Sequence, residues 1–103
     1  MSINTPEAPT TPDARIIIPQ HVVFRSFVKE TVVLNLDTGR YHGLNPVGGR
    51  MLEVLKEVGV VRDAAARLAQ AYGVPNDEIE RDLLDFCDEL AARGLIERAV
   101  AAS

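Results

Sequence analysis

TVVLNLDTGRYHGLNPVGGRMLEVL, residues 31–55, holds both a hairpin and the capped start of a helix. Val32, Val33, Leu34 and Leu36 are strand formers that run into Asp37-Thr38-Gly39, a turn in which glycine supplies the positive φ of a tight reversal. Arg40 to Leu44 then return as the partner strand. Asn45 can cap the next helix with its side-chain oxygen, and Pro46 suits the first helical position, where a missing N–H costs nothing. The hairpin therefore leads directly into a helix.

Before the hairpin, His21 to Phe27 read as an earlier strand, with Val22 and Phe24 on one face and Val23 and Arg25 on the other, and Lys29-Glu30 turn it into the hairpin. Val22, Phe24, Val32, Leu34 and Leu36 can share one face, which predicts three antiparallel strands with one buried side. The first helix is expected from Pro46 to Val58, with Val47, Met51, Leu52, Leu55 and Val58 at helical spacing and Gly59 as its stop. Gly48 and Gly49 weaken its first turn by roughly 1 kcal/mol each relative to Ala, so either close backbone packing compensates or that end is loose. A second helix is expected from Val61 to Tyr72, ended by Gly73, and a third from Asn76 to about Arg93, ended by Gly94. Leu95 and Ile96 then dock on the core. Strands followed by helices with short connections predict an α+β domain related to the winged helix-turn-helix, a three-stranded antiparallel sheet followed by three helices.

The chain of 103 residues allows one domain. Residues 1–14, with Pro6, Pro9 and Pro12 among polar residues, read as a mobile tail, 15–98 as the folded unit and 99–103 as a short C-terminal tail. A net charge of −4 gives no general attraction to phosphate or anionic lipid. The lone Cys87 excludes an intrachain disulfide and a cysteine-based zinc site. No signal peptide or membrane-spanning run is evident, which predicts a cytoplasmic protein. Gly48-Gly49 lacks the spacing and the lysine of a phosphate loop, so no nucleotide, metal or other cofactor is expected.

Residues 31–55 and the later DLLDFCDELAARGLIE, residues 82–97, together resemble the PqqD-like family. A Thr-Gly-x-Tyr kind of hairpin, a Leu-Asn-Pro helix start and a Gly-Leu-Ile/Val ending recur there in this order. They are carried here by Thr38 to Tyr41, Leu44 to Pro46 and Gly94 to Ile96. The likeness runs from about Val22 to Glu97, and Tyr41 to Pro46 look most like stand-alone members of lasso-peptide clusters. The resemblance implies a non-catalytic recognition element that binds the leader of a ribosomally made precursor peptide and presents it to modifying enzymes. Its implied partners are a leader peptidase and an ATP-dependent cyclase, or in other clusters a radical enzyme. The Asp37-Thr38-Gly39-Arg40-Tyr41 hairpin departs from members that serve pyrroloquinoline-quinone synthesis, and Gly48-Gly49 replaces the larger residues expected after Asn-Pro.

In the resembled family the leader lies between the third strand and the third helix and pairs with that strand as a fourth. That edge would be Arg40, Tyr41, His42, Gly43 and Leu44. Along the third helix, counted from Ile79, Leu83, Phe86 and Leu90 fall within about 40° and form the core stripe, while Cys87, Ala91 and Leu84 follow at about 80°, 120° and 140°. The apolar arc is wider than one interface needs. Leu84, Cys87 and Ala91, with Glu80 and Asp88 beside them, are therefore the expected groove wall; Leu84 reads equally well as one of the scattered exposed leucines of any protein. Four added main-chain hydrogen bonds contribute roughly 2 to 6 kcal/mol, whereas micromolar affinity requires about 8, so one or two buried apolar anchors from the peptide are needed. In lasso pathways the resemblance points to a Tyr and a Pro of the leader as those anchors.

Two other functions compete. A winged fold that bound DNA would use the third helix, but that helix sets seven carboxylates against Arg81 and Arg93, a local balance of −5 that repels phosphates. A catalytic reading has only His42 and Cys87 to work with, and Cys is among the most buried residue types. A purely structural subunit of a modifying enzyme is compatible with the same sequence.

Overall fold

A computed structural model describes residues 8–100. The chain runs β1 (Ala14–Ile17), β2 (Val22–Ser26), β3 (Thr31–Asn35), β4 (Tyr41–Leu44), α1 (Pro46–Val58), α2 (Val61–Tyr72), α3 (Asn76–Ala92) and β5 (Glu97–Val100). β2, β3 and β4 form an antiparallel sheet in that order, and β1 pairs with β5 in a separate antiparallel ribbon. The three-stranded sheet and three helices are the expected α+β arrangement; the likeness to a winged helix-turn-helix is loose, because the ribbon has no place in the expected plan.

The β3–β4 turn is organised by Asn35. Its Oδ1 accepts hydrogen bonds from the N–H groups of Asp37 (2.9 Å) and Thr38 (3.3 Å), and Gly39 takes φ 75° to close the reversal. Serving the turn this way places Asn35 on the core side of the sheet. Pairing of Val22 with Asn35, Phe24 with Val33, and Thr31 with Leu44 then makes the inner face Val22, Phe24, Thr31, Val33, Asn35, His42 and Leu44. Val32 and Leu34, expected inside, lie on the outer face with Val23 and Tyr41, and Leu36 is an exposed turn residue. Because the side-chain period is two, a shift of one residue in β3 exchanges its whole set of side chains between faces. The inward Thr31 is satisfied by a 3.0 Å hydrogen bond with Ser26 Oγ, so polar residues close both ends of the strand and Val33 fills the middle.

α1 starts and stops where its punctuation predicts. Asn45 Oδ1 accepts from Gly48 N–H at 2.8 Å, Pro46 takes the first position, and Gly59 with φ 88° ends the helix. The glycine pair is tightly packed, not loose. A β-carbon on Gly49 would collide with Thr31 Oγ1, and one on Gly48 would stand 3.4 Å from the Phe86 ring. The helix start is thereby pressed onto β3 and α3.

The N-terminal segment departs from expectation. Thr10 and Ala14, within the expected tail, are buried, and the parts of the expected tails at 1–7 and 101–103 lie outside the described residues. Thr10 N–H and Oγ1 donate to Asp88 Oδ1 at 2.6 and 2.7 Å, and the Pro12 carbonyl accepts from Arg62 N–H at the start of α2. Arg98 of β5 is fully buried, donates to the Ala8 carbonyl and Thr10 Oγ1, and pairs with Asp88 at 3.4 Å. Hydrogen bonds therefore offset the ordering entropy that the composition alone leaves unopposed. The boundary after residue 98 also moves, since β5 continues to Val100. Helices, ribbon and inner sheet face share a core that includes Leu52, Leu55, Leu68, Leu83, Leu90, Leu95 and Ile96.

Candidate functional site

β4 hydrogen-bonds to β3 on one side and is the last strand of its sheet among the described residues. Among the described residues no strand pairs with its other side, which leaves main-chain donors and acceptors for a guest strand. Arg40, Tyr41 and Gly43 are exposed, His42 is half-buried on the inner face, and Leu44 is buried as the anchor of the strand. All five expected edge residues thus lie together along one open margin.

α3 runs beside that margin, with a trough between them. Near β4 a cavity of about 240 Å³ is lined by Gly43, Leu44, Asn45, Gly48, Phe86, Glu89 and Arg93. A second cavity of about 330 Å³ shares Asn45, Gly48, Phe86 and Glu89 with it and continues past Val47, Met51, Asp82 and Asp85. Phe86 and Gly48 form the floor common to both. The absence of a β-carbon at Gly48 lets α1 approach the Phe86 ring, and the ring in turn faces the trough.

The trough meets the flank of α3 that faces away from Leu84, Cys87 and Ala91. Counted from Ile79, Phe86, Arg93, Asp82 and Glu89 fall at about −20°, −40°, −60° and −80°, whereas Cys87, Ala91 and Leu84 fall on the positive side. Cys87 and Ala91 are buried in the core, and Leu84 is half-buried against it. Asp88 is held by Thr10 and Arg98, and Glu80 lies half-buried on the same flank. The N-terminal segment, the missed element, covers this side through Asp88. An apolar stripe at helical spacing has two edges, and only the position of a distant segment decides which one is covered. Phe86 lies within the core stripe by helical angle yet is only half-buried, a difference that helical spacing does not carry.

Chemically the trough suits binding. Burial first, and then the neighbouring Asp88 carboxylate, push the Cys87 thiol up to about 12, with Arg98 opposing, so it stays protonated and unreactive at neutral pH. Among the described residues no hydrogen bond joins Cys87 to His42, and no cluster of His, Cys, Asp or Glu is placed to hold a metal ion. Among the described residues no helix is long and apolar enough to cross a membrane.

A family model described as coenzyme PQQ synthesis protein D (PqqD) matches residues 30–96. Among solved structures, TbiB1 in complex with the TbiA(beta) leader peptide superposes with a TM-score of 0.71 at 35% identity, over 78% of this chain and 93% of that one. The PqqD truncation of Methylobacterium extorquens PqqCD, a stand-alone RiPP recognition element solved by NMR, gives 0.71 at 28% identity over 90% and 98%. Lasso peptide synthetase B1 complexed with the leader peptide gives 0.70 at 21% identity over 80% and 96%, a likeness of fold. No curated protein matches the chain.

Proposed function

We propose a function from one premise: the chain belongs to the PqqD family. It is a recognition element that captures the leader of a ribosomally made precursor peptide, in lasso-peptide or related biosynthesis, and holds it for modification. One observation carries this reading. The open margin of β4 stands beside a trough floored by Phe86 and Gly48, so a guest strand gains main-chain partners and an apolar seat at once. The leader-bound TbiB1 and the Methylobacterium recognition element support it as relatives of the same fold.

In this reading Tyr41, His42 and Gly43 pair with the leader through their main chains, Arg40 flanks the entry, and Leu44 anchors the strand from beneath. Phe86 receives an apolar leader side chain. Cys87, Ala91, Leu84, Glu80 and Asp88 are not part of the binding surface, because they lie in the core or on the flank joined to the N-terminal segment. The module performs no chemistry of its own. It raises the local concentration of precursor for its partners, a leader peptidase and an ATP-dependent cyclase or a radical enzyme, in the cytoplasm where precursors are translated.

Fluorescence polarisation with the leader encoded beside this gene tests the reading. Micromolar or tighter binding is expected, with amide chemical-shift changes concentrated at residues 41–44. A leader that neither binds nor shifts those amides overturns it.

A further inference from the structure

Away from β4, toward the start of α3, the trough loses its strand wall and becomes a slot with an apolar floor and an anionic rim. Val47, Met51 and Phe86 make the floor, and Asp82, Asp85 and Glu89 stand along α3 at the rim. Glu89 is already paired with Arg93 at 2.7 Å. Asp82 and Asp85 are exposed, and among the described residues their side chains have no hydrogen-bond or ion-pair partner. Three residues apart on one helix, the two carboxylates are surface neighbours and repel each other.

The two halves of the slot select different parts of one side chain. A purely apolar residue on Val47 and Phe86 would crowd both carboxylates without offering them a partner, and an acidic residue would be repelled. A long aliphatic stem ending in a cation meets both demands, with methylenes on the floor and the charge at the rim. We infer that the leader carries a lysine or arginine where it leaves the β4 margin, its stem lying on Val47, Met51 and Phe86 and its head between Asp82 and Asp85. This rests on the leader-binding reading and names the side chain that reading leaves open.

The test starts from a display library of random dodecapeptides selected on the full-length protein, so that no leader sequence is assumed. Selected peptides are expected to share a strand-forming run followed by one position dominated by Lys or Arg. One such peptide, labelled with fluorescein, is then compared with its Lys→Gln and Lys→Glu versions by fluorescence polarisation. Replacing Lys by Gln should weaken binding about three- to tenfold, as for two partly exposed ion pairs, and Glu should weaken it further. In the Asp82→Asn/Asp85→Asn variant the ratio of Lys-peptide to Gln-peptide affinity should fall to about one. The ratio for the unaltered protein should shrink as salt rises from about 0.1 to about 1 M, where the screening length drops from about 10 to about 3 Å. Selected peptides that shift residues 41–44 but show no basic position overturn this inference and leave leader capture standing. A basic preference that survives in the Asn variant also overturns it, by assigning the charge to another surface. If neither library peptides nor the gene's own precursor bind, both readings fall.

Discussion

The two flanks of α3 are built from similar residues and do opposite things. Each carries carboxylates next to apolar side chains, yet one is closed by Thr10 and Arg98 and the other lies open beside β4. On the closed flank Asp88 has its hydrogen bonds from within the chain, and Cys87 and Ala91 are core residues. On the open flank Asp82 and Asp85 have no such partners among the described residues, and Phe86 is only partly covered. A carboxylate that holds two parts of the chain together contributes to stability. One left without a partner next to an apolar floor is free to serve a ligand.

The most forceful way to break this contrast is Arg98→Ala. Removing a buried cation strands Asp88 and releases the N-terminal segment, and a loss of about 3 kcal/mol is expected in urea unfolding, near the lower end for a broken buried pair because Asp88 keeps partial solvent access. A loss below about 1 kcal/mol would mean that the closed flank is not what holds the segment. Gly49→Ala comes next, with about 1 to 3 kcal/mol from overpacking against Thr31, read as a lower urea midpoint at unchanged slope. Phe86→Ala moves the test to the open flank: leader affinity should fall at least about tenfold, near 1.4 kcal/mol, in titrations of the folded protein. Leu84→Glu sharpens the comparison from the other side, since affinity should change by less than about twofold, and a large loss would return the groove to the flank expected from the sequence.

The closed flank also responds to pH, through Cys87. Its folded pKa is raised from 9.0 to about 12, so the neutral thiol is favoured by the fold. The associated stability is fully present below about pH 9 and is lost as pH rises toward about 12, because the unfolded chain ionises first. Unfolding midpoints measured across that window should decline more steeply for the natural chain than for Cys87→Ala. Equal slopes would show that the thiol is not shielded.

Much of the fold was legible because helix punctuation is local chemistry. Asn45, Pro46, Gly59 and Gly73 mark the ends of α1 and α2 by capping and by positive φ, and neither depends on distant residues. The register of β3 was not legible, since Thr31 and Asn35 look like outward polar residues until Ser26 and the turn amides are seen to satisfy them. The β1–β5 ribbon was hidden for a related reason. Arg98 occupies an inward position, and a buried arginine spoils the alternation that announces a half-buried strand. For the site, the open β4 margin followed from strand order, whereas the helix flank did not.

From its residues alone this chain was determined to be a small α+β domain, with helix boundaries, an edge strand at Arg40 to Leu44 and an acidic third helix. Those features are set by backbone preferences and charge counts that act within a few residues. Only the tertiary structure decided which face of β3 is buried, which flank of α3 is closed and where the trough lies. Each of those choices is made by contacts between segments as far apart as Thr10 and Asp88, and no local propensity encodes which of two similar surfaces a distant segment will cover.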